Sequence, residues 1–194
     1  MGEDSRTVRT FIAIEISREA KEELSRTVAS LKKAGMDVKW VKPSGMHITL
    51  KFLGNIPQEK VENIKSSLSG IAERNQPFTV SLSGIGVFPK WESPEVIWAG
   101  LDNSSKVSAV QNEIESALSG LGIEREPREF SPHITLGRVK SPRNRNVLKE
   151  YASGANVKNV PSTIDKIVLF KSDLKPSGAV YETLLEAPFH REMK

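Results

Sequence analysis

The chain has 194 residues, 38% hydrophobic and 27% charged, with 28 Lys and Arg against 24 Asp and Glu and a formal net charge of +4. It is long enough to bury a real core as one compact domain or two small packed halves, has no apolar run of membrane-spanning length, and starts without the basic segment and long apolar stretch of a secretory signal, so a cytoplasmic protein is expected. It lacks cysteine, which excludes a disulfide framework, thiol catalysis and Cys-ligated zinc or iron–sulfur sites, and leaves histidine and carboxylate chemistry.

In chain order, Val8 to Ile16 alternates as a strand, with Ile12, Ile14 and Ile16 on one face and Phe11, Ala13 and Glu15 on the other. Ser17 suits the N-cap of a helix carrying Ala20, Leu24, Val28 and Leu31 inward, which Gly35 stops. A short strand near Val38 to Val41 and a Pro-Ser-Gly turn lead to a strand opening with His-Ile-Thr-Leu at His47. Pro57 suits the first turn of a helix whose inner face is Val61, Ile64, Leu68 and Ile71, and "PFTVSLSGI" follows as a strand.

The same plan then returns. Glu95 to Leu101 is a strand, Ser104 or Ser105 caps a helix with Val107, Val110, Ile114, Leu118 and Leu121 inward, and His-Ile-Thr-Leu recurs at His133, 86 residues after His47. A weaker helix around Asn144 to Ala152, a strand "STIDKIVLF", a turn "KSDLKPSG" and a last strand around Ala179 to Leu185 complete the chain. The order strand, helix, strand, motif strand, helix, strand is read as occurring twice. No flexible linker separates the copies, so the expectation is an α+β protein, one domain of two pseudo-symmetric antiparallel-sheet and helix lobes around a central cleft. The halves span about 8–84 and 94–171, with a C-terminal strand at 178–186.

Strand alternation puts His47 and Thr49 on one face and Ile48 and Leu50 on the other, and divides His133 and Thr135 from Ile134 and Leu136 in the same way. Packing explains repeated aliphatics, which could drift to Val; it does not explain matched His and Thr. Two halves related by a twofold would bring both His-Thr faces to one cleft. Two histidines make a poor metal ligand set without an accompanying HxH or HExxH pattern, and neither Ser44 nor Ser131 sits in a nucleophile elbow. No metal or cofactor is expected. Paired acid and base action in phosphoryl transfer fits better, because one imidazole can take a proton from water while the other gives one to a leaving alkoxide. Threonine hydroxyls would hold the phosphoryl oxygens.

The paired "HITLKFLG" and "HITLGR" resemble the repeated His-x-Thr-x signature of the two-histidine (2H) phosphoesterase superfamily. "RTFIAIEI", "GVFP", "VIWAG" and "KSDLKPSGAVYETL" narrow the resemblance to its RNA 2′,3′-cyclic phosphodiesterase branch, formerly 2′-5′ RNA ligase (LigT). That resemblance implies a bilobal LigT-like fold and metal-free hydrolysis of an RNA 2′,3′-cyclic phosphate to a 2′-phosphate. His47 and Thr49 would fill the first motif, His133 and Thr135 the second. His47 would protonate the departing 3′-oxygen and His133 activate water, with roles that exchange if substrate binds the other way round. ATP-independent 2′-5′ RNA joining and RNA-end binding without chemistry remain alternatives.

Arg138 matches a basic residue of that branch, but simple parity turns it away from His133, so an irregularity near Gly137 is expected to bring it to the cleft as a substrate contact. Lys51 has the parity of His47 and would either add positive potential or lie exposed. Phe11 would either stack on a nucleobase or pack between strands. Trp98 reads as core or cleft wall, and His190 as exposed. Arg138, Lys140, Arg143, Arg145 and Lys149 form a basic run suited to RNA phosphates. The expected partner is RNA ending in a cyclic phosphate, with tRNA fragments among the candidates, no membrane, and a monomeric state.

Overall fold

The structure, a computed structural model, describes residues 7–141, 143–175 and 178–191. Its elements in chain order are β1 (Thr7–Glu15), α1 (Arg18–Leu31), β2 (Val38–Trp40), β3 (His47–Pro57), α2 (Lys60–Arg74), β4 (Phe78–Lys90) and β5 (Ser93–Asp102). There follow α3 (Ser105–Ser119), β6 (Ile134–Val139), α4 (Arg145–Ser153), β7 (Pro161–Ile164), β8 (Lys166–Lys175) and β9 (Gly178–Pro188).

Local chemistry sets the first helix. The Ser17 hydroxyl accepts from the Ala20 N–H at 3.2 Å, and after a short 3-10 turn Gly35 takes φ 66°, a left-handed stop that glycine adopts without steric cost. The buried stripe Ala20, Leu24, Val28 and Leu31 of α1 joins Ile64 and Leu68 of α2 and Ile114 and Leu118 of α3. They share one core with Ile12, Ile14, Ile48 and Ile134 of the sheet. The helices thereby cover one sheet face, and the opposite face is left to build a cleft.

The sheet runs β7-β4-β5-β6-β3-β1-β8-β9, with β2 paired to β6 off this path. At its centre β3 and β6 meet antiparallel through the pair Ile48 and Ile134, the same position of each tetrapeptide. A pseudo-twofold axis therefore passes between them and relates β1 to β5, β8 to β4 and β9 to β7. The strand β4 follows the first repeat yet pairs with β5, while β8 closes the second and pairs with β1. Each lobe thus contains a strand from the other half of the chain.

Four details depart from the sequence expectations. Pro57 ends β3 rather than opening α2, which starts at Lys60; without an N–H, proline suits the last rung of a ladder. "STIDKIVLF" is two strands, because β7 pairs with β4 in one lobe and β8 with β1 in the other, with Asp165 at the break. Lys171 to Lys175 of the expected "KSDLKPSG" turn continue β8, and Pro176 and Ser177 lie outside the described residues. The second repeat has no counterpart of β2: residues 123–133, rich in charge and interrupted by prolines, form no strand, and β2 itself pairs with β6.

Candidate active site

Both motif strands carry the same backbone irregularity. Against β1, Ala13 pairs with Thr49 but Ile12 pairs with Lys51, leaving Leu50 as an extra residue; against β5, Trp98 pairs with Thr135 but Ile97 pairs with Gly137, leaving Leu136 extra. One inserted residue reverses the facing of everything after it. Leu50 and Leu136 both stay in the core, Lys51 and Gly137 turn toward the helix side, and Phe52 and Arg138 turn into the cleft.

The expected irregularity near Gly137 is therefore present, for a different reason. Lys51 occupies the equivalent place without any glycine. Gly137 is needed for space, since a Cβ there would lie 2.5 Å from Val38 Cγ1 and 3.0 Å from Trp40 Cε3. Lys51 is only 6% exposed and neither faces the cleft nor lies free. Its Nζ donates to both Glu115 carboxylate oxygens and to the Glu124 carbonyl, each at 2.8 Å, tying β3 to α3 and the loop after it.

Extending the register by one step from the Ile48–Ile134 pair sets His47 across from Thr135 and Thr49 across from His133. The four side chains form a two-by-two array on one face, with each imidazole beside the other motif's hydroxyl. A cavity of about 660 Å³ opens over it, lined by His47, Thr49 and Thr135 but stopping short of His133. His133 lies just before β6, its ring edge-on to Phe88 at 5.0 Å and near Trp98 at 6.4 Å. Its Nδ1–H donates to the Ser131 carbonyl at 2.7 Å, which fixes the tautomer and leaves Nε2 as a free lone pair when the ring is neutral.

The two rings differ in surroundings. His47 stacks on Phe11 at 5.0 Å, with Tyr181 edge-on at 5.7 Å. Burial against these rings, helped by Lys21 and opposed by Glu15, holds its pKa down to about 4. Burial also lowers His133; the Ser131 carbonyl counteracts this, and Arg138 adds a smaller lowering. Both imidazoles are therefore easier to keep neutral than free histidine.

Phe11 is 3% exposed, and its ring is enclosed by His47, Phe52, Phe170 and Tyr181. Phe11 borders the cavity, and the His47 and Phe170 rings stack on it at 5.0 and 5.2 Å. Arg9, Lys39, Lys42 and Arg138 line the cavity, and among the described residues its lining contains no carboxylate and none of the four is ion-paired. Lys39 lies directly across from Arg138 in the β2–β6 pair. Like charges placed opposite each other destabilise a sheet unless an anion joins them. Sequence reading missed Arg9, Lys39, Lys42 and Phe52. Arg9 opens the quoted RTFIAIEI segment but was given no role, Lys39 and Lys42 carry no motif, and a bulge assigned to both motif strands would have found Phe52. Ser172 and Tyr181, quoted above only for the resemblance, pair with each other in the β8–β9 hairpin and line the cavity. His190 is exposed and remote in sequence from both motifs. Among the described residues no three His, Asp or Glu side chains cluster, and no helix is long and apolar enough to cross a membrane.

The chain is similar to known proteins over nearly its whole length. The family described as LigT like Phosphoesterase matches residues 14–98 and again 101–181. The RNA 2′,3′-cyclic phosphodiesterase of Methanothermobacter thermautotrophicus is 34% identical over 175 residues, which is 90% of this chain and 95% of that protein. The protein of the same name from Methanocaldococcus jannaschii is 37% identical over 180 residues, 92% and 99% of the two chains. Among solved structures, TT0787 of Thermus thermophilus superposes with a TM-score of 0.81 at 25% identity, over 95% of this chain and 100% of that one. E. coli LigT complexed with 3′-AMP does so with a TM-score of 0.75 at 21% identity, over 96% and 100%. With the family match spanning both halves and these relatives covering nearly the full length, the chain belongs to the LigT-like phosphoesterase family.

Proposed function

We propose that the protein hydrolyses the terminal 2′,3′-cyclic phosphate of RNA to a 2′-phosphate, with His47 and His133 as paired acid and base. The observation that carries this reading is the matched array of two imidazoles and two hydroxyls about the Ile48–Ile134 pair, in a cleft whose charged lining residues, Arg9, Lys39, Lys42 and Arg138, are all cations. The relatives named RNA 2′,3′-cyclic phosphodiesterase support it.

In this mechanism His133, held by Ser131, takes a proton from water through Nε2 as the water oxygen attacks phosphorus. The bond from phosphorus to the 3′-oxygen breaks, and His47 supplies the proton that this oxygen needs. Thr49 and Thr135 donate to the non-bridging oxygens, and Arg138 offsets the charge that accumulates there. No bond to the protein forms. Burial holds the His47 pKa down to about 4, and the substrate's negative charge beside the ring favours the imidazolium that this step needs.

The test is turnover of an oligoribonucleotide ending in a 2′,3′-cyclic phosphate, in excess chelator, with the product identified by phosphate position. Conversion to a 2′-phosphate, lost in both His47→Ala and His133→Ala, is the expected result; a folded wild type without turnover would refute the reading. The body of the RNA runs over the exposed basic side chains Arg138, Lys140, Arg143, Arg145 and Lys149. Reversing the last four charges is expected to weaken RNA binding and flatten its salt dependence, and an unchanged salt slope would remove this surface from the proposal. Both motifs come from one chain, so a monomer is sufficient.

A further inference from the structure

At the level of His47 the cleft face of the sheet carries a row of facing side chains. Glu15 of β1 pairs directly across from His47, and two residues beyond the Ala13–Val168 pair of β1 and β8 Lys166 lies on its other side. The Glu15 carboxylate is 3.3 Å from Lys166 Nζ and 3.6 Å from Lys21 Nζ of α1, and Lys166 also reaches Glu186 of β9 at 2.8 Å. The side chains of Lys166 and Lys21 are 28% and 21% exposed, so these charges are poorly screened. The other lobe has glycine at this place. One step from the Ala99–Ile134 pair, Gly100 lies across from His133, and a Cβ there would already come within 2.9 Å of Ser83 Oγ, leaving no space for a carboxylate.

A carboxylate beside an imidazole favours its charged form, whereas burial and a nearby ammonium disfavour it. Glu15 of β1, Lys21 of α1, Tyr181 of β9 and, diagonally, His133 surround His47, and Arg9, Lys39, Lys42 and Arg138 share its cavity. Burial and Lys21 work against the imidazolium, and Glu15 works for it. Removing the Glu15 carboxylate would also free Lys21 and Lys166, the cations it holds, to act on the ring. We propose that Glu15 is a positioning residue for the acid step: from its place across from His47 it stabilises the imidazolium and keeps the charges of Lys21 and Lys166 in balance. The inference rests on His47 being the acid of the proposed hydrolysis. Glu15 gives up no proton; the one that reaches the departing 3′-oxygen comes from His47.

The experiment records kcat against pH for a nucleoside 2′,3′-cyclic phosphate in wild type, Glu15→Gln, Glu15→Asp and Lys21→Met. The acid must be protonated, so the limb that falls at high pH reports it. Glu15→Gln is expected to move that limb down by roughly half to one pH unit, a ~3- to 10-fold loss of kcat there, with KM little changed. Glu15→Asp retains most of the wild-type profile, and Lys21→Met moves the limb the opposite way. A limb that stays in place in Glu15→Gln, or that moves the same way in Glu15→Gln and Lys21→Met, overturns the proposal, since a merely structural role would lower kcat without opposed shifts. NMR titration of the His47 ring in the substrate-free protein separates the two proposals. If wild type shows no turnover, the hydrolase reading fails; a ring titration lowered by Glu15→Gln and raised by Lys21→Met still supports the part given to Glu15, and one that neither variant moves refutes it.

Discussion

The two motif strands share four letters and a bulge, then diverge. After Leu50 come a buried lysine and an exposed phenylalanine; after Leu136 come a glycine packed beneath Trp40 and an exposed arginine. The shared portion, His-x-Thr-x on equivalent strands, carries the groups to which the proposed acid–base chemistry is assigned. The divergent portion sets how each strand is supported from behind and what it shows the ligand in front. In the first lobe the support is a buried ion pair from Lys51 to Glu115, in the second it is the apolar cover of Val38 and Trp40 from β2. Equivalent strand backbones can thus be held by unlike means.

The sharpest attempt to break this comparison is a double variant. Each single alanine at His47 or His133 is expected to lower kcat by ~10²–10⁴-fold, and the pair together by little more than one alone, because in the proposed mechanism acid and base act in the same transition state. Independent, multiplying losses in the initial rate assay would show that the two rings do not work together.

The two supports differ in what their loss costs. Lys51→Ala leaves Glu115 buried without its partner, and about 3–5 kcal/mol of stability is expected to go. Denaturant titration of this variant beside Lys51→Met with Glu115→Leu, in which both charges are gone, checks the origin; recovery in the double variant is expected. Gly137→Ala pushes a methyl group into Val38 and Trp40 and is expected to cost about 1–3 kcal/mol. Arg138 shares that bulge, so salt-dependent RNA binding should weaken alongside stability. If Gly137→Ala left both unchanged, β2 would not be the brace proposed for the second strand.

The smallest effect concerns pH. The folded pKa of His47 is lowered to about 4 from its ordinary 6.5, so between these values the unfolded chain binds more protons. Stability is therefore fully present above about 6.5 and declines as pH falls toward about 4. Against a His47→Gln variant the wild type should lose on the order of 1 kcal/mol across that window, after allowance for screening at the cleft mouth. Parallel stability curves would mean that the aromatic packing does not bias His47 toward its neutral form.

The sequence alone determined the paired His-Thr faces and most of the core. Both imidazoles, both hydroxyls and the aliphatics behind them follow from alternation within one strand, a local property that needs no knowledge of neighbours. Helix faces such as Ile64 and Leu68 were legible for the same reason. Alternation failed one residue past each motif. A bulge is defined by counting against a partner strand, β1 for one and β5 for the other, so Lys51 facing α3 and Phe52 facing the cleft could not be read from β3 by itself. The exchange of β4 and β8 between lobes, the closure of Phe11 beneath His47 and the meeting of Lys39 with Arg138 are likewise long-range pairings. Only the tertiary structure decided them, because each depends on which strands become neighbours and not on the residues adjacent in the chain.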